Sequence, residues 1–166
     1  LHEPWLHLYD RATLRSDLGR AHAAIAEVTG REPRGFRGPG FSLSGAVLEE
    51  LAGMGYAYDA TVFPNVLNPV SRAYFLKRSN LTPEERRQRE ALFGTLRDAT
   101  RPNVPFAWRL DGERLLEVPV TTMPGVRVPF HFSYLIYLAG RSEKAARAYF
   151  GAALALCRIR AGAPSL

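Results

Sequence analysis

Cysteine is nearly absent. Cys157 is the one thiol in 166 residues, which excludes an intrachain disulfide framework and a thiolate zinc cluster. Long apolar runs are missing as well: the stretch around Tyr134 to Ala139 falls far short of the roughly 20 residues that a membrane-spanning helix needs. No basic, apolar and small-residue pattern of a secretory signal opens the chain. The sequence therefore reads as soluble, with no membrane span in this segment and no mark of compartment. A dense basic tract is also lacking. The net charge of +6 invites a polyanion partner, yet Arg86, Arg87 and Arg89 are interleaved with Glu84, Glu85 and Glu90, the pattern of a solvated helix face. With no basic and aromatic sheet face and no recognition-helix pattern, nucleic acid is not an expected partner.

What is present is apolar material, 46% of residues, enough for the core of one ordinary domain. Its arrangement is an α/β rhythm. Asp10 caps a predicted helix over 11–29, where Leu14, Leu18, Ala21, Ile25 and Val28 recur at spacings of four, three, four and three, and Gly30 ends it. A short extended piece at 34–37 follows. Ser44 then caps a helix over 44–54 carrying Val47, Leu48, Leu51 and Met54, and Gly55 stops it before the strand-like run at 56–60. Such alternation predicts parallel strands with functional loops at their carboxyl ends.

Residues 64–110 break the rhythm. Four prolines bracket a loop-rich segment with one helix announced by Thr82-Pro83-Glu84-Glu85, read as an insertion over one face. A strand at 115–119 follows, then an aromatic-rich piece from Pro129. A helix over 142–160 comes last, its inner face formed by Ala146, Tyr149, Phe150, Ala153 and Cys157. The chain starts at Leu1 without a Met and closes on "GAPSL", a turn leading into a strand. It is expected to be a piece of a larger domain.

The densest punctuation is "REPRGFRGPGFSLSG", residues 31–45. It lacks the Lys-Ser/Thr ending of a phosphate loop and the spacing of a dinucleotide fold. Pro39 fixes one torsion, Gly40 permits a positive φ or a close approach, and Arg37 sits at a strand end. An Arg held there orients a carboxylate or an anion; standing alone, it is equally a surface Arg beside a turn.

The longer stretch "TGREPRGFRGPGFSLSGAVLEELAGMGYAYDATVFPN", with "LLEVPVTTMPG" later, resembles the polysaccharide deacetylase family, the chitooligosaccharide deacetylase-like carbohydrate esterases. The likeness covers most of residues 1–60 and 113–130 and rests on the order of the pieces. It implies a distorted (β/α) barrel, seen here as one partial domain over 1–166. The implied activity is metal-dependent hydrolysis of N-acetyl or O-acetyl groups on an acetylated polysaccharide or oligosaccharide, with zinc as the expected divalent metal. In the family an Asp and a His-x-x-x-His pair hold the metal, a second Asp is the base, and a late His protonates the leaving amine. By that likeness Arg37 pairs with the base carboxylate, the Gly40 N–H faces the oxyanion, and Pro39, Asp59 and Phe63 line the substrate pocket. Asp59 equally suits the cap of the next turn.

The sequence departs from the family at several points. It contains no Asp-Asp pair, so base and carboxylate ligand are expected upstream of Leu1, and the late His beyond Leu166. His2 and His7 are five positions apart, about 140° on a helix, so they are not the family's pair. One of them corresponds to its second His: His2 by the run-up to the first helix, His7 by the local string "HLYD". His2 is favoured as the metal ligand. His131 is expected to start a helix or line a pocket, and His22 to be structural. Trp5, Trp108 and the aromatics at 130–137 either stack on sugar rings or pack. The alternative to an enzyme is a non-catalytic carbohydrate-binding or scaffold protein on the same barrel.

Overall fold

The computed structural model describes residues 6–67, 82–84 and 99–160. His2, Trp5, the "PSL" end and the predicted helix past Glu84 lie outside the described residues. Two compact units are formed: the first takes Leu1–Val62 with Pro105–Val118, the second Phe63–Val104 with Pro119–Leu166. Among the described residues no helix is long and apolar enough to cross a membrane.

In the first unit, α1 (Arg11–Thr29) starts where Asp10 accepts the Thr13 N–H at 2.7 Å and ends on Gly30 at φ 67°, a left-handed position that suits glycine. Helix α2 (Gly45–Gly53) is capped by Ser44, whose hydroxyl accepts the Val47 N–H. Leu14 and Leu18 of α1 are buried with Val47, Leu48 and Leu51 of α2 and with Leu6, Tyr56 and Leu115. Ile25 and Val28 continue the apolar spacing but are exposed, at 46% and 85%. The reason is length. At 1.5 Å per residue a nineteen-residue helix outruns a nine-residue one by about 15 Å, so α2 covers only the front half of α1. Glu50, buried on α2, accepts both Nε and Nη2 of Arg15 at 2.7 and 3.0 Å, a fork that ties the two helices and holds the Glu50 carboxyl below its usual range.

These helices lie against a four-stranded sheet of β1 (Gly35–Phe36), β2 (Tyr58–Asp59), β3 (Phe106–Leu110) and β4 (Glu113–Glu117), ordered β1-β2-β4-β3. β1, β2 and β4 are parallel, as the alternation predicts. β3 pairs antiparallel with β4 through Asp111-Gly112, both at positive φ, the turn that suits a right-twisted hairpin. Residues 106–110, read as the end of a loop-rich insertion, form the outermost strand of this sheet among the described residues. Among the described residues the sheet is open; the barrel remains what the resemblance implies.

In the second unit, α3 (Phe132–Ala139) is followed by α4 (Glu143–Arg160). Phe130, Ala153 and Cys157 form its buried cluster with Met123, Tyr149 and Phe150 packed around them, and the Tyr149 hydroxyl donates to the Pro129 carbonyl at 2.8 Å.

Side-chain alternation on β4 yields a prediction. Leu115 is fully buried while its neighbour Leu116 is 43% exposed. Leu115→Ala should lower the unfolding free energy by about 2–4 kcal/mol in urea denaturation, and Leu116→Ala by less than about 1 kcal/mol. Equal losses would mean that the register is wrong.

Candidate functional site

The parallel strands bring their carboxyl ends together in the first unit. Phe36 is the register partner of Asp59, and Asp59 of Glu117. One step past β1, Arg37 donates its Nε–H to the carbonyl of Ala60, one step past β2, at 2.9 Å. Arg37 is exposed, and among the described residues Nη1 and Nη2 have no hydrogen-bond or ion-pair partner. The guanidinium is therefore anchored at one nitrogen and open at the other two.

Gly38 fixes the loop. It is buried, its N–H donates to the Thr61 hydroxyl at 2.8 Å, and a Cβ there would lie 2.2 Å from the Ser42 carbonyl oxygen. Close backbone approach thus belongs to Gly38, a residue the sequence reading passed over. Gly40 supplies the positive φ, 59°, within the one-turn 3-10 segment Pro39–Phe41, and both Pro39 and Gly40 are exposed.

Asp59, expected either to line a pocket or to cap the next turn, is fully buried. Its Oδ1 accepts the Thr61 hydroxyl at 2.6 Å and its Oδ2 the Thr61 N–H at 3.2 Å. Beside it, fully buried Glu117 accepts the Val62 N–H on Oε1 at 2.9 Å and the Trp108 indole N–H on Oε2 at 2.8 Å. The two acids are register partners on neighbouring strands, and both side chains are buried. Burial first, and then the Asp59 charge, push the Glu117 carboxyl up to about 8. Asp59 thus stands in the interior, bonded to the turn that follows β2, and Trp108 packs and donates. The signal for Glu117 was an acid set inside the apolar run "LLEVPV".

His7 sits in the 3-10 turn Leu6–Leu8, where Nδ1 lies 3.0 Å from the Ser42 hydroxyl and Nε2 is buried with no partner among the described residues. One nitrogen oriented by a hydroxyl and the other left open is how metal-bound histidines are set. His7 stands alone in this: no group of three His, Cys, Asp or Glu among the described residues could hold a metal ion. His22, expected to be structural, has its Nδ1 3.3 Å from the Tyr56 hydroxyl. In the second unit, Phe63 is half-buried with its ring 5.5 Å from that of His131, which stands at the N-cap of α3. Burial holds the His131 imidazole below its usual range.

Compared with models of known families, with curated proteins and with solved structures, the chain matches none.

Two outcomes follow from this geometry. Gly38→Ala should cost about 1–3 kcal/mol in urea denaturation, because the clash is with backbone, whereas Gly45→Ala, with open space around its Cβ, should cost nothing or stabilise slightly. Calorimetric titration of residues 1–166 with zinc should show only weak binding, since three protein ligands are usual for a catalytic site. Tight stoichiometric binding would show that a full ligand set is present in this chain.

Proposed function

We propose that this chain carries the Arg37 arm of a metal-dependent hydrolase that removes acetyl groups from N-acetylated or O-acetylated sugars of a polysaccharide. The observation that supports the reading most is the state of Arg37: fixed through Nε at the carboxyl ends of parallel strands, with both terminal nitrogens open among the described residues. A guanidinium held this way is a ready fork for a carboxylate. Paired with the base of an acetyl hydrolase, it keeps that base ionised at working pH and aims it at the attacking water. The Asp-Asp pair that the resemblance calls for is not in residues 1–166, so in this reading the carboxylate comes from chain outside them.

Gly40, exposed in the same loop, is the proposed backbone donor to the oxyanion formed when water adds to the acetyl carbonyl. The expected divalent metal would polarise that carbonyl. Among the described residues the nitrogen placed to hold it is His7 Nε2, and His2 lies outside them. Collapse of the tetrahedral adduct breaks the bond to the sugar nitrogen or oxygen, which takes up a proton and leaves acetate.

Acetate release from N-acetylated chitooligosaccharides and from O-acetylated glycans, by protein made from the full reading frame, tests this. Arg37→Ala should lower kcat by about 30- to 1,000-fold, the equivalent of about 2–4 kcal/mol, with a much smaller rise in KM. The acid limb of the pH profile should move up, because the base loses the cation that kept it ionised. Arg37→Lys should recover part of the rate, since an ammonium keeps the charge without the fork. An unchanged kcat and pH profile in Arg37→Ala would sink the assignment. Oligosaccharide binding with no acetate release would favour a non-catalytic carbohydrate-binding protein.

A further inference from the structure

We infer that Asp59 and Glu117 share one proton at neutral pH, and that this proton holds the carboxyl ends of β2 and β4 together and, through Thr61, positions the Arg37 loop. The inference goes beyond the proposed hydrolase and needs neither substrate nor metal.

The ladder forces the two acids together. They are register partners in a parallel pair, both on the face turned to the interior and both fully buried. Like charges set directly opposite each other repel, and in a dry site two adjacent carboxylates cannot both ionise cheaply. Their other contacts are neutral donors: the Thr61 hydroxyl and N–H to Asp59, the Val62 N–H and the Trp108 indole to Glu117.

Charged groups on the surrounding elements form no ion pair with the two acids among the described residues. Arg37, after β1, is bonded to the Ala60 carbonyl; Glu50 of α2 is bonded to Arg15; Arg109 of β3 is exposed, one residue on from Trp108 and so on the opposite face. His7 bonds Ser42. Among the described residues, no cation is ion-paired with either acid. A proton between them is what remains to relieve the repulsion, and the raised Glu117 carboxyl agrees with that.

From the pair the chain of contacts is short. The Thr61 hydroxyl donates to Asp59 and accepts from Gly38, which stands next to Arg37. Glu117 is therefore a positioning residue for that loop.

Folded Glu117 keeps its proton to about pH 8, whereas the unfolded chain releases it near an ordinary carboxyl value, about 4–5. The stabilisation is thus whole below the unfolded value and is lost as pH rises toward the folded one. Across that window the unfolding constant should climb by close to tenfold per pH unit from this group.

Three measurements test it: carboxyl-carbon NMR titration of Glu117, urea denaturation from pH 5 to 9.5, and hydrogen exchange at the Gly38 N–H. Wild type should show Glu117 titrating above pH 7, a matching fall in stability, and Gly38 exchange that accelerates with pH more than the Val47 N–H, which is held by a helix cap. Asp59→Asn should lower the Glu117 midpoint by a unit or more and flatten both pH dependences. Glu117→Gln should flatten them too; if it does not fold, the wild-type and Asp59→Asn titrations carry the test. Glu117 titrating in the ordinary carboxylate range, or unmoved by Asp59→Asn, would overturn the inference. A lack of deacetylase activity would leave it standing, and its failure would leave the Arg37 reading standing.

Discussion

Parallel strands of two residues hold each other with few ladder hydrogen bonds, and no turn closes their ends. Here the deficit is met just past the ladder. Gly38 on Thr61, Thr61 on Asp59, Val118 on the Asp59 carbonyl, and Val62 and Trp108 on Glu117 stitch the ends of β1, β2, β4 and the edge strand β3 in one layer. Each of these bonds is to a buried group, so breaking one leaves a polar atom unsatisfied in the interior. The placement of Arg37 follows from that layer: the Ala60 carbonyl that holds it lies between Asp59 and Thr61 in the chain.

Much of this arrangement was legible in the sequence where the cue is local. Asp10 and Gly30 bound α1, Ser44 opens α2, and Pro39-Gly40 marks a tight turn, because caps and turns depend on residues three or four apart. Asp111-Gly112 is an equally local signal, a hairpin turn that marks β3 and β4 as neighbours. The exposure of Ile25 and Val28 was not legible, since periodicity reports which face is apolar and not how far a neighbour extends along it. Nor was the Asp59–Glu117 contact. The two acids are fifty-eight positions apart in the chain, and only the ladder register places them side by side.

The surroundings of the two acids also bear on why Arg37 stays open. An exposed arginine near two carboxyl groups would ordinarily be captured by one of them, and the fork would then be filled from within the chain. Asp59 and Glu117 avoid this by turning inward, where donors without charge and a shared proton satisfy them. A singly protonated pair carries one negative charge where two ionised acids would carry two, which weakens its pull on the guanidinium. Arg37 is left tethered to a backbone carbonyl, a neutral acceptor that sets its direction without cancelling its charge. Such an arrangement costs little to keep and leaves the cation available to an anionic group arriving from elsewhere. Deprotonating the pair would undo it twice over, by loosening the layer that orients the loop and by creating a competing anion beside it.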